Sequence, residues 1–92
     1  MDEKNTIKNS NDLEVILEKM ASEIYKIKDD TNRDIISTNF KALKRELIKK
    51  QPKKSVVKNF LQVLDHLGNF IQITSDFKNG IEKLTNIFDI SL

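Results

Sequence analysis

Residues 47–61 read LIKKQPKKSVVKNFL, with Lys49, Lys50, Lys53 and Lys54 placed around Pro52, the only proline in the chain. Proline disfavours helical geometry at the residue before it, so Gln51 marks a helix boundary. Ser55 is a residue type that caps a new helix. Upstream, Ile36, Phe40, Leu43 and Leu47 recur at helical spacing, and downstream so do Val57, Phe60, Leu64, Leu67 and Ile71. The stretch is therefore a stop, a turn and a start between two amphipathic helices.

The same periodicity extends in both directions. Asn11-x-x-Glu14 has the form of a capping box. Leu13, Leu17, Met20, Ile24 and Ile27 then lay one apolar stripe on a helix over residues 12–28, with Lys19, Glu23 and Lys26 off the stripe and facing water. Asp29 to Asn32 interrupts the pattern, and Thr31-x-x-Asp34 offers a second capping signal for a helix reaching about Lys50. The alternative is one bent helix over 12–50. Gly68 either ends the third helix or marks close packing inside a continuous one. Ile73, Phe77, Ile81, Leu84 and Phe88 carry the last stripe, and Gly80 beside it suits a close helix approach. The expected fold is all-α: a small antiparallel helical bundle of four helices, or of two long kinked ones.

Composition points the same way. The 92 residues are 38% hydrophobic and 33% charged, with only two glycines. That suits one helical domain, expected over residues 11–90 after a flexible lead-in at 1–10. The absence of cysteine removes disulfides, thiol chemistry and cysteine-ligated zinc. The opening MDEKNTIKNSN has no apolar segment of the kind a signal peptide needs, and no run is long enough to cross a membrane, so a cytoplasmic location is expected.

No catalytic constellation is visible. His66 is the only histidine, and its helical neighbours at the right spacing are Gln62, Asn69 and Phe70, none of them an acid. Asp29, Asp30 and Asp34 are dense but lack the loop of a calcium site and read as helix-capping acids. The glycines form no phosphate-binding loop. The expectation is a protein that is not an enzyme, with no catalytic residues, no metal and no cofactor.

Charge is the sharper signal. The net charge is +2, yet Lys41, Lys44, Arg45, Lys49, Lys50, Lys53, Lys54 and Lys58 face Glu46 alone in residues 41–58. Lys49 and Lys50 complement a helix C-terminus. Lys41, Arg45 and Lys49 form a solvated stripe opposite the apolar face. Lys53, Lys54 and Lys58 sit at a helix start, where positive charge is mildly unfavourable, which suggests a use for them. The cluster reads either as a solvated face or as a contact for an acidic protein surface, which is the candidate partner. Nucleic acid is the rival, although no aromatic residues or phosphate loop accompany the lysines. Four of the five phenylalanines lie between Phe60 and Phe88. A single hairpin cannot bury that stripe, so it is either the main core or a seam between copies, with Phe70, Phe77, Ile81, Leu84 and Phe88 as candidate self-association residues.

The stretch LKRELIKKQPKKSVVKNFLQVLDHLGNFI resembles a C-terminal helical module of many uncharacterised bacterial proteins. Glu46, Leu47, Pro52, Lys54, Ser55, Val57, Lys58, Leu61 and Leu64 stand at the matching positions, and the resemblance spans about residues 13–70. The module carries small residues after the glycine near position 68, where this chain has NFIQITSDF. The resemblance implies a helical oligomerisation or interaction element, often associated with conflict-system proteins. A small bacterial or phage inhibitor, antitoxin or immunity protein that self-associates and binds a protein partner is the functional expectation.

Overall fold

A computed structural model describes the backbone of residues 2–92 and the side chains of residues 12–92. The expected lead-in at 1–10 and the Asn11 cap fall on residues whose side chains, and at Met1 the backbone, lie outside the described residues. Four helices are present among the described residues, α1 (Asp2–Tyr25), α2 (Asp30–Leu47), α3 (Lys54–Ile71) and α4 (Ser75–Ile87), and no strand. The fold is an all-α helical bundle. The α1–α2 break is real, which excludes the single bent helix.

The short connections make successive helices antiparallel, and each helix packs on two neighbours. The α2–α3 and α1–α4 pairings are the most extensive, and α3–α4 and α1–α2 close the ring. The four stripes meet in one core. Met20, Ile36, Leu43, Val57, Leu61, Leu64, Phe77 and Leu84 are fully buried, with Ile16, Leu17, Ile24, Phe40, Leu47 and Ile81 around them. Ile16 and Leu61 join the expected stripes. Leu13, Ile27, Phe60, Leu67, Ile71, Ile73 and Phe88 pack at the margin.

The caps differ from the sequence signals in instructive ways. Asp29, not Thr31, caps α2: its side chain accepts from the Asn32 backbone N–H at 2.8 Å. Arg33 then ties the connection by donating to the Ile27 carbonyl at 2.8 Å and pairing with Asp30. Helix α2 ends at Leu47, before Lys50, with Ile48 as its C-cap. Helix α3 starts from Lys53, so Ser55 lies inside its first turn and caps nothing.

Helix α3 ends in a Schellman motif. The Ile73 N–H donates to the Gly68 carbonyl at 2.9 Å and the Gln72 N–H to Asn69 at 3.3 Å, with Gln72 left-handed at φ 61°. The left-handed residue is thus glutamine, and Gly68 stays inside the helix, buried under Ile73 and Phe77. Gly68 thus neither ends α3 nor sits in a continuous helix: it packs against Ile73 and Phe77 three residues before the helix ends at Ile71.

Gly80 sets the distance between α1 and α4. A Cβ there would lie 2.5 Å from Met20 Cγ and 2.7 Å from its Sδ. Met20 is fully buried, so its side chain can give way only by repacking against the core. Gly80→Ala is therefore expected to destabilise the chain by about 1–3 kcal/mol despite alanine's better helix propensity. Urea denaturation measures this. A stability gain would mean that Met20 repacks freely.

Candidate interaction surface

The eight basic residues of 41–58 come from the C-terminal half of α2, the 48–53 connection and the first turns of α3. Antiparallel packing brings these segments to one end of the bundle. All eight are exposed. Lys49 pairs with Glu46, and no other ion pair involves them among the described residues. The Lys44 ammonium stands 6.0 Å from the Phe40 ring centroid, at the outer limit of a cation–π contact. Ile48 is 78% exposed in their midst, so an apolar side chain is presented within the basic end.

The one acid of that segment is not part of the surface. Glu46 is buried at 6% exposure. Its Oε2 accepts from the Lys53 backbone N–H at 2.8 Å and its Oε1 from Lys49 Nζ at 2.9 Å. Glu46 thus closes the α2–α3 turn and places a carboxylate beside the N-terminus of α3, where the helix dipole favours it. The positive charge of Lys53 and Lys54 at that terminus is offset from within.

A second glutamate repeats the device. Glu23 was expected to face water, but it is buried at 6% exposure. Thr74, the N-cap of α4, donates its hydroxyl to Glu23 Oε1 at 2.6 Å, and Lys26 Nζ lies 2.8 Å from Oε2. Each glutamate sits near the C-terminus of one helix and holds the cap residue of another. Glu23 reaches across 51 positions, so residues adjacent in sequence gave no sign of it. Glu46 did carry a sign, as a lone acid next to core Leu47.

Hydrogen bonding governs both carboxyls. The Lys53 N–H, then Lys49, holds Glu46 below the usual carboxylate range, against burial pushing it up. Lys26, then Thr74, does the same for Glu23. A folded-state value below the unfolded one, near ~4.3, means that the stabilisation is complete above that value. It is lost as pH falls through the folded values. Urea midpoints should therefore hold steady from pH 7 to about 5.5 and decline below about 4.3. Glu46→Gln should lower the midpoint at pH 7 and flatten the decline. An unchanged decline in that variant would assign it to other carboxylates.

The phenylalanine stripe divides. Phe77, Ile81 and Leu84 are 0%, 3% and 0% exposed within one chain, Phe88 packs at the core margin, and Phe70 is 79% exposed. The apolar demand that suggested a seam between copies is met by α1 packing on α4. Phe77→Asp is expected to unfold the chain, since it buries an unpaired charge. Phe70→Asp should change the melting temperature little. Far-UV circular dichroism with thermal melts separates the two.

His66 is exposed and Asp29 caps α2. Among the described residues, no cluster of three or more histidine, aspartate or glutamate side chains could hold a metal, and no helix is long and apolar enough to cross a membrane. The depressions are shallow. One of about 280 Å³ lies between the α1–α2 and α3–α4 connections, and one of about 400 Å³ lies beside Val15 and Ile87. Neither brings together a nucleophile, a base and an orienting group. Comparison with family models, curated proteins and solved structures finds no match to the chain.

Proposed function

We propose that the chain is a non-catalytic interaction protein that binds an acidic surface of a protein partner through the basic end formed by α2 and α3. One observation carries the reading. The only acid of residues 41–58 is drawn inside as a structural latch, and all eight cations stay exposed, seven of them without an ion pair among the described residues. Surface charge left uncompensated steers an oppositely charged partner and raises its association rate. The exposed Ile48 among the cations favours a protein over a phosphate backbone, because an apolar contact at the centre of a charged patch suits a protein interface. The resemblance to a bacterial interaction module agrees with it, and an inhibitor, antitoxin or immunity protein is the setting it suggests. Cytoplasmic action fits the same proposal.

The test uses Lys53→Glu with Lys54→Glu, both exposed and both outside the core. The unaltered chain should bind acidic helical peptides at physiological salt, and the variant should bind at least ~10-fold more weakly with unchanged helicity. A 20-base-pair duplex serves as the counter-probe. If the duplex binds more tightly than the peptides, with an affinity that collapses between about 50 and 200 mM salt, the basic end belongs to nucleic acid instead.

A further inference from the structure

A second feature adjoins the basic end. Helix α3 carries two apolar stripes. Val57, Leu61, Leu64 and Gly68 form the buried one. Val56, Phe60, Val63, Leu67 and Phe70 form another, spaced by four, three, four and three residues. That is heptad spacing, the pattern of a helix seam. Its members are not fully covered: Val56, Phe60 and Leu67 are half-buried, Val63 is 41% exposed and Phe70 is 79% exposed.

The neighbours of α3 locate this stripe. Asp65, on the opposite flank, shares a depression with Lys78, Ile81, Glu82 and Thr85, so that flank faces α4. The heptad stripe therefore lies on the α2 side. On α2, Ser37, Phe40 and Lys44 share a depression with Ala21, Ile24 and Tyr25, so their flank faces α1. Glu46 reaches Lys53 from the other flank. Ile35 and Ala42 lie three turns and one turn before Glu46, on its side of the helix. In an antiparallel pair this places Ile35 level with Leu67 and Phe70, and Ala42 level with Phe60. Ile35 is 44% exposed and Ala42 is small. The outer face of the α2–α3 pair thus carries the apolar row of α3, flanked on α2 by Ile35 and Ala42 with the polar Asn39 between them, and is bounded at the turn end by exposed Arg45, Lys49 and Lys53.

We propose that this face docks one amphipathic helix of the partner, with acidic residues on the turn that lies over Arg45, Lys49 and Lys53. The inference rests on the acidic-partner reading and deepens it. The apolar row supplies the seam for a helix with side chains at i, i+4 and i+7. The cations set its polarity along the face, because an acidic turn is favoured at one end only. A second copy laid parallel on this face would bring Lys53 and Lys54 against their own counterparts; an antiparallel copy is the alternative occupant that light scattering tests.

The test uses three synthetic helices about three heptads long: one with leucine at the seam positions and glutamate on one terminal turn, one with lysine replacing that glutamate, and one with the seam order scrambled. Fluorescence anisotropy on the full chain at physiological salt should show binding of the first, and at least ~10-fold weaker binding of the other two. Val63→Glu with Phe70→Glu, or Phe70→Ala alone, should weaken the first peptide at least ~10-fold or ~3-fold respectively, with circular dichroism unchanged. Binding abolished by Lys53→Glu with Lys54→Glu but untouched by the Val63 and Phe70 variants would overturn the face and leave the acidic-partner reading standing. Failure of every acidic peptide to bind would overturn both. Light scattering that shows a dimer dissociated by Val63→Glu with Phe70→Glu would assign the face to a second copy.

Discussion

Four short amphipathic helices must bury their stripes in one another, and none can do so with a single neighbour. Isolated helices of 13 to 18 residues are marginal in water, so α2, α3 and α4 are held by tertiary packing. Phe77 shows the constraint most plainly. It is fully buried although α4 is the shortest helix, because α1 approaches closely enough at Gly80 and α3 at Gly68 to enclose that stripe. At Gly80 a Cβ would meet Met20 below 3 Å, so glycine there is what lets α1 and α4 come this close.

The polar groups follow from that closure. Bringing helix ends together in a small bundle buries backbone donors and side chains that water would otherwise satisfy. Glu46 and Glu23 answer this need at opposite ends of the molecule, each accepting from a cap residue of another helix. Every buried side-chain polar atom among the described residues has a partner. The same solution changes the surface. Withdrawing Glu46 leaves the α2–α3 end with exposed cations, so a structural requirement and the proposed recognition surface share one residue.

Much of this was legible from residue order. The four stripes, the Pro52 boundary and the exposed lysines stand where periodicity and charge placed them. The misreadings cluster at helix ends. Thr31 and Ser55 had the chemistry of caps, but Asp29 lay two residues earlier, and Glu46 already satisfied the Lys53 N–H at the start of α3. Local signals name residues able to cap, and competition between neighbours decides which one does. Glu23 was misread for a different reason: its partner, Thr74, lies half the chain away.

The sequence by itself determined the helical class, the number of stripes and the position of the charge, because these depend on spacing of a few residues along one element. Only the tertiary structure decided that Phe77, Ile81 and Leu84 are buried within one chain while Phe70 is exposed. It alone buried the two glutamates, and it left Ile35, Val63 and Phe70 exposed. Burial is a property of what stands opposite a side chain, and periodicity along a helix does not specify that.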